Sequence, residues 1–166
     1  MSYYTLIDSP VGMLRLRSDG EALTALDMLD EGEAVSPGKN WMQGDDLKVF
    51  QLARRQLKEY FAGKRCDFDL PLSMEGTEFR RRVWKELTRI PYGTTISYGE
   101  LARRVGNDKA SRAVGLANGC NPIGIIVPCH RVIGANGTLT GYAGGLERKK
   151  ILLDLEATNR LALATR

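Results

Sequence analysis

Apolar positions change their spacing near residue 75. Before it, Tyr3 to Asp8, Gly12 to Ser18 and Ala22 to Leu29 are short runs separated by the turn pairs Ser9-Pro10 and Asp19-Gly20. That pattern predicts three antiparallel strands in a small meander. Glu31 to Gly44 carries Gly, Ser, Pro and acidic residues without a period and reads as a loop. From Asp45 to Phe61, the residues Leu47, Phe50, Ala53, Leu57, Tyr60 and Phe61 recur at helical spacing, with Asp45 or Asp46 as N-cap and Gly63 as stop. This helix should cover one face of the sheet.

After residue 76 the spacing is helical throughout. Thr77 can cap a helix that gathers Phe79, Val83, Trp84, Leu87 and Ile90 on one face and leaves Arg80, Arg81, Arg82 and Lys85 largely off it. Ser97-Tyr98-Gly99-Glu100 has the form of a capping box and opens a helix carrying Leu101, Ala102 and Val105. A second short helix, Lys109 to Asn118, turns Ala113, Val114 and Ala117 inward. Val132 to Thr140, with Asn136-Gly137 at its tip, has a hairpin signal, and Leu146 to Thr158 reads as a last helix. Two helices, a tight turn and a hairpin outline a winged helix-turn-helix.

The expected fold class is therefore α+β, a small antiparallel sheet with a covering helix followed by a mainly helical domain. The boundaries read as 1–70 for the supporting domain, 71–76 for a linker with Pro71, and 77–166 for the second domain. With 166 residues, 43% of them hydrophobic, either one large or two small cores can be built. No stretch reaches the roughly 18 apolar residues of a membrane span, and Met1 to Ile7 lacks the layout of a signal peptide, so a soluble cytoplasmic protein is expected.

Charge separates the halves further. Residues 1–75 hold 9 Lys/Arg against 13 Asp/Glu, net −4, while residues 76–166 hold 15 against 7, net +8. A basic half points to a polyanion, with nucleic acid first. The second helix of the pair offers a mostly small outer face, Ala110, Ser111, Ala113, Gly115 and Ala117, with Arg112 as its single long side chain. Base readout needs several Arg, Asn or Gln, so this helix predicts docking that is largely independent of sequence.

The candidate chemistry lies in that basic half. Cys129 stands beside His130, the only histidine in the chain, behind the apolar run Ile123 to Val127 between Pro122 and Pro128. The run reads as a buried extended segment from which Cys129 emerges. A thiol next to a base is the arrangement that makes a thiolate nucleophile, the two groups meeting around a turn or through a water. The bland alternative is a structural Cys beside a surface His. Three widely spaced cysteines, Cys66, Cys120 and Cys129, argue against a disulfide framework, and one His with no paired Cys leaves no ligand set for zinc. Lys149 and Glu156 lie seven residues apart. On a helix that spacing puts them within about 20° of each other, on the stripe of Leu152, facing a core or pocket. A snorkelling Lys and a solvated Glu is the competing reading.

Pro128-Cys129-His130-Arg131-Val132, with Asn121-Pro122 before it and Gly141-Tyr142-Ala143-Gly144-Gly145 after it, resembles the active site of the O6-alkylguanine-DNA alkyltransferases in their bacterial constitutive form. The similarity runs from about Thr77 to Glu156. It implies a suicide repair reaction in which O6-alkylguanine, with O4-alkylthymine a second candidate, is flipped from duplex DNA and its alkyl group passes irreversibly to Cys129. By the resemblance, His130 is the base and Glu156 its orienting acid. Tyr98 turns the 3′ phosphate and protonates guanine at N3, and Lys149 polarises the site around Cys129 and Asn121. Asn121 is also the hinge between recognition helix and active-site segment. Arg112 enters from the minor groove to fill the space of the rotated base, Ser111 and Ala113 dock beside it, and Tyr142, Val132, Ala143 and Gly124 line the pocket. The backbone of Cys129 and Val132 would accept the exocyclic amine of guanine.

No cofactor is implied, since the damaged DNA is itself the alkyl donor, and neither is a metal, although some relatives carry zinc in the first domain. A monomer able to cluster along DNA is expected. Ala143 stands where some members have a Ser that contacts O6, and Gly124 where some have Pro; both changes leave room and bear on alkyl-group preference. A Cys-His-Glu hydrolase and a non-catalytic winged-helix regulator are the competing classes. The first would turn over repeatedly and the second would not use the thiol.

Overall fold

The computed structural model describes residues 2–164, with side chains through Arg160. The chain separates into two compact units, Met1–Met74 and Glu75–Arg166, an α+β unit followed by a mainly helical one.

In the first unit, β1 (Ser2–Ile7), β2 (Leu14–Ser18) and β3 (Leu23–Met28) form the expected antiparallel meander. Leu14, Leu16 and Ser18 of β2 point inward at every second position, the period of a half-buried strand. Buried Ser18 is satisfied within the turn, donating to Ala22 O at 2.6 Å and accepting from Gly20 N at 2.9 Å. The sheet order is β3-β2-β1-β4, because Trp41–Gln43 adds a short strand, β4, parallel to β1. The expectation of a loop from Glu31 to Gly44 and of a purely antiparallel sheet is corrected here. A three-residue strand has no readable period, and its partner lies far back in the sequence.

The helix α1 (Lys48–Phe61) turns Phe50, Ala53, Leu57 and Tyr60 into the core, and Arg54 Nη2 donates to Leu6 O of β1 at 3.0 Å. Its N-cap is Leu47, with no side-chain cap bond, so neither Asp45 nor Asp46 is the cap. Asp45 instead accepts from the buried Thr5 hydroxyl at 2.6 Å, a bond that lowers its pKa. The stretch read as a linker is tied at its start to β3, where Leu23 N donates to Pro71 O and Ser73 N to Leu23 O.

The second unit begins with α2 (Glu78–Leu87), whose Thr77 N-cap accepts from Arg80 N at 3.1 Å. Thr77→Ala should cost about 1 kcal/mol, read as a lower urea midpoint with unchanged slope. Val83, Trp84, Leu87 and Ile90 are buried as the periodicity requires. Trp84 Nε1 donates to Ala117 O at 2.8 Å, fastening α2 to α4 (Ser111–Gly119). Arg82 donates to Val105 O at the end of α3 (Tyr98–Arg104), so it is a clasp and not a free charge. Ser97 caps α3 by accepting from Glu100 N at 3.0 Å, while the Glu100 carboxylate pairs with Arg103. The α4 helix starts later than expected, at Ser111, and it exposes Ala113 and buries Ala117.

Two expectations fail in the next stretch. Ile123 to Val127 is buried but not extended. It is a turn in which Val127 N donates to Ile123 O at 3.0 Å and Ile125 takes φ 71°. A β-branched residue in the left-handed region costs on the order of 1–3 kcal/mol and persists only when its surroundings impose it. Asn121 does so, donating from Nδ2 to Val127 O at 2.8 Å and accepting from Ile123 N at 3.0 Å. The wing is not a hairpin. β6 (Val132–Ile133) pairs in parallel with β5 (Ile96–Ser97), and the Asn-Gly tip closes a tight loop through Gly134 N to Thr138 O at 2.9 Å. The last helix, α5 (Leu146–Ala164), runs beyond Thr158.

Candidate active site

Cys129 to Arg131 form one 3-10 turn, and all three side chains are buried. Cys129 retains 6% of its surface and therefore does not emerge from the core. The tight turn places the thiol and imidazole differently from the alternation a strand would impose, which sends neighbouring side chains to opposite faces.

Long range contacts from α5 complete the turn. His130 and Glu156 are 0% and 1% exposed, and Nε2 lies 2.7 Å from Oε2. Arg131 grips the same carboxylate with both arms, Nε to Oε1 at 2.8 Å and Nη2 to Oε2 at 3.0 Å, and its Nη1 donates to Ile90 O at 2.6 Å. Gly93 N adds a further bond to Oε1 at 3.1 Å. Burial alone would raise the Glu156 pKa, but the donors of His130 and Arg131 outweigh it and hold the carboxyl far below the usual carboxylate range. Glu156 is therefore a carboxylate that can only accept, so Nε2 carries the proton. Burial also lowers the His130 pKa, with Arg131 and Lys149 adding to the effect against the pull of Glu156. A neutral ring with its proton on Nε2 has its lone pair on Nδ1, and this buried atom has no partner among the described residues.

Lys149 is fully buried and donates from Nζ to Val132 O at 2.6 Å and Thr140 O at 2.9 Å. Burial lowers its pKa, and the Cys129 charge works in the opposite direction. The Cys129 thiol is raised by burial, partly offset by a hydrogen bond from Asn121 and the charge of Lys149. Cys129 thus rests as a thiol with the means of stabilising a thiolate on hand.

Tyr98 Oη donates to Thr140 O at 3.1 Å, the carbonyl that Lys149 also reaches. Tyr142 is half-buried, its hydroxyl without a hydrogen-bond partner among the described residues, and burial raises its pKa so that it stays a phenol. Val132 and Gly124 are buried, whereas Ala143 is exposed. Ser111, Arg112 and Ala113 are exposed along α4. The Cys129 carbonyl already accepts from Asn118 Nδ2 at 3.3 Å and from Val132 N, which occupies both of its lone pairs, and the Val132 carbonyl accepts from Lys149.

Arg131, Asn118, Gly93 and Thr140 were not singled out from sequence. Arg131 had a signal, a charge set between an apolar run and Val132-Ile133, which burial obliges to find a partner. Asn118 had one too, an amide one position after core Ala117. Gly93 and Thr140 act through backbone atoms and had none.

A buried thiol, a base oriented by an ionised acid and a helix-turn-helix in one basic unit define a nucleic-acid-binding protein with a nucleophilic cysteine. Residues 78–158 match the 6-O-methylguanine DNA methyltransferase DNA binding domain and residues 2–74 the ribonuclease-like domain of the same family. The chain belongs to the 6-O-methylguanine DNA methyltransferase family. It is 51% identical to the methylated-DNA--protein-cysteine methyltransferase of Methanosarcina acetivorans over 94% of this chain and 99% of that protein. It is 54% identical to the protein of that name from Mycobacterium tuberculosis, over 94% and 93%. The crystal structure of the Mycobacterium tuberculosis O6-methylguanine methyltransferase superposes with a TM-score of 0.87 at 53% identity, covering 96% of this chain and 94% of that one. That of Mycobacterium tuberculosis OGT in complex with DNA gives 0.85 at 52% identity, covering 95% and 94%.

Among the described residues, no three of His, Cys, Asp and Glu come together as a metal site, and no helix is long and apolar enough to cross a membrane.

Proposed function

We propose that this protein repairs alkylated DNA by moving the alkyl group from O6 of guanine to Cys129, once per molecule. The observation that carries the assignment is the buried Cys129, His130 and Glu156 set within a unit that matches the family's DNA-binding domain. The reaction belongs in the cytoplasm, where the DNA substrate lies, and the protein acts as a monomer that can cluster along the duplex.

The α4 helix docks in the minor groove. Its small residues Ser111 and Ala113 permit close approach, and Arg112 fills the space of a base turned out of the stack. The flipped base enters a pocket walled by Tyr142, Val132, Gly124 and Ala143. The carbonyl of Val132 accepts the exocyclic amine of guanine, and that of Cys129 joins it as the amine takes the place of one of its present donors, Asn118 Nδ2.

His130 takes the thiol proton on Nδ1, directly or through one water, and Glu156 stabilises the imidazolium. Sγ attacks the alkyl carbon in line, forming S–C as C–O6 breaks, and the electron pair passes into the purine. Tyr98 exchanges its Thr140 acceptor for N3 of the base and donates its proton there, so guanine leaves neutral. Lys149 stabilises the negative charge near Cys129. The thioether product has no carbonyl for water to attack, so the thiol is not regenerated.

Arg112→Ala should lower repair of duplex DNA by tenfold or more, while transfer from the free modified base changes little, because Arg112 is exposed and remote in role from the thiol. Single-turnover rates on the two substrates check this, and equal losses would assign Arg112 to chemistry or folding.

A further inference from the structure

We propose that Arg131 is a positioning residue whose guanidinium occupies both oxygens of Glu156 and so keeps His130 neutral at rest, with Nδ1 as the lone-pair nitrogen. The inference rests on the reading of Cys129 and His130 as the transfer pair, but its test does not measure transfer.

An unshared carboxylate 2.7 Å from Nε2 in a buried site favours imidazolium, since an opposite charge this close raises a pKa by about 1–3 units. Imidazolium at rest would have no lone pair with which to receive the thiol proton. Burial of the ring is the first counterweight, and the structure adds a second. Arg131 forms a two-armed bond to Oε1 and Oε2, the strongest geometry available to the pair. The negative charge seen by His130 is thereby largely neutralised, while the carboxylate remains ionised and able to hold Nε2–H.

Arg131 is itself immobilised. It is 5% exposed, its Nη1 is fastened to Ile90 O, and the guanidinium lies 5.6 Å over the Tyr92 ring. Since the turn Cys129–Arg131 carries thiol, base and guanidinium in succession, one backbone motif sets all three against α5. Besides Arg131 on its own turn, the charged groups that act on His130 are Glu156 and Lys149 on α5. Lys149 also carries positive charge, but its Nζ is bonded to Val132 O and Thr140 O and makes no bond to Glu156. It cannot substitute for the two-armed grip. Arg in place of Lys at 131 is explained by the same geometry, because only a planar fork meets both oxygens at once.

The test uses the single histidine, which gives one set of ring nitrogen signals in the full chain. In wild-type protein near neutral pH, ¹⁵N NMR should show a neutral ring protonated on Nε2. Imidazolium there, or a proton on Nδ1, overturns the proposal even if no variant folds. Arg131→Met should raise the His130 pKa by about one unit or more, and Arg131→Lys should raise it less. In Arg131→Met with Glu156→Gln the buried charges go together, so the double variant should fold and the His130 pKa should fall back. Titrations of a folded single variant that overlay the wild type, or a double variant that stays as high as Arg131→Met, would show that Arg131 does not act through Glu156. Failure of transfer with these NMR results intact would count against the repair reading and leave the role of Arg131 standing.

Discussion

Protein exposed to duplex DNA with one O6-methylguanine gains a single methyl group, and peptide mapping places it on Cys129; Cys129→Ala protein gains none. The expectation runs against simple accessibility. Cys66 and Cys120 are exposed, while Cys129 is buried and its thiol is raised by desolvation. An unselective thiol reagent should therefore label Cys66 and Cys120 first, because the thiolate is the nucleophile. Only the flipped base, held in line with Sγ, meets the one thiol that has His130 to remove its proton and Lys149 to stabilise what remains. The loss in Cys129→Ala should be complete within detection. A methyl group on either exposed cysteine, more than one group per molecule, or transfer surviving Cys129→Ala would end the repair reading, and repeated turnover would favour a hydrolase.

The second large effect is that of Glu156→Gln, which should both destabilise the protein and slow transfer. Glu156 is 1% exposed and accepts from His130, Arg131 and Gly93, so an uncharged amide leaves a buried guanidinium without its counter-ion. Breaking one partner of a buried ion pair costs about 3 kcal/mol or more. A silent, shape-preserving substitution is thus excluded. The Glu156 pKa is depressed in the folded chain, so the stability its charge supplies is fully present above the unfolded value of about 4.3 and is lost as pH falls through the folded value. The stability gap between the two proteins should be widest near neutrality and narrow in acid. Transfer follows another course. Its deficit should shrink as hydroxide takes over from His130, but burial lifts the thiol above its ordinary value of about 8.5, so the two rate profiles should converge only beyond that pH. Urea denaturation across pH and single-turnover rates across pH read the two effects separately; a rate deficit equal at every pH would remove Glu156 from thiolate formation.

Local rules accounted for much of the architecture because they report which face of an element is buried. The stripe of Val83, Trp84, Leu87 and Ile90, the Thr77 and Ser97 caps, and the placing of Lys149 and Glu156 on one inward line of α5 were all readable from spacing. The candidate nucleophile was readable too, since a thiol beside the only histidine is a chemical fact about two adjacent residues. The same rules misplaced the α1 cap, where Asp45 is claimed by Thr5 across 40 residues of chain. They also misread Ile123 to Val127, whose apolar content is that of a strand but whose backbone is folded into a turn by Asn121.

By itself the sequence determined the three-stranded meander, the helices and their buried faces, the charge division and the Cys129-His130 pair, because these depend on residue identity and short spacing. Tertiary structure alone decided that β4 joins β1 in parallel, that β6 pairs with β5 instead of forming a hairpin, and that Arg131 shares Glu156 with His130. Each of these joins segments distant in sequence. Periodicity records that a side chain is buried, whereas the partner that satisfies a buried strand edge or charge is selected only when the whole chain closes around it.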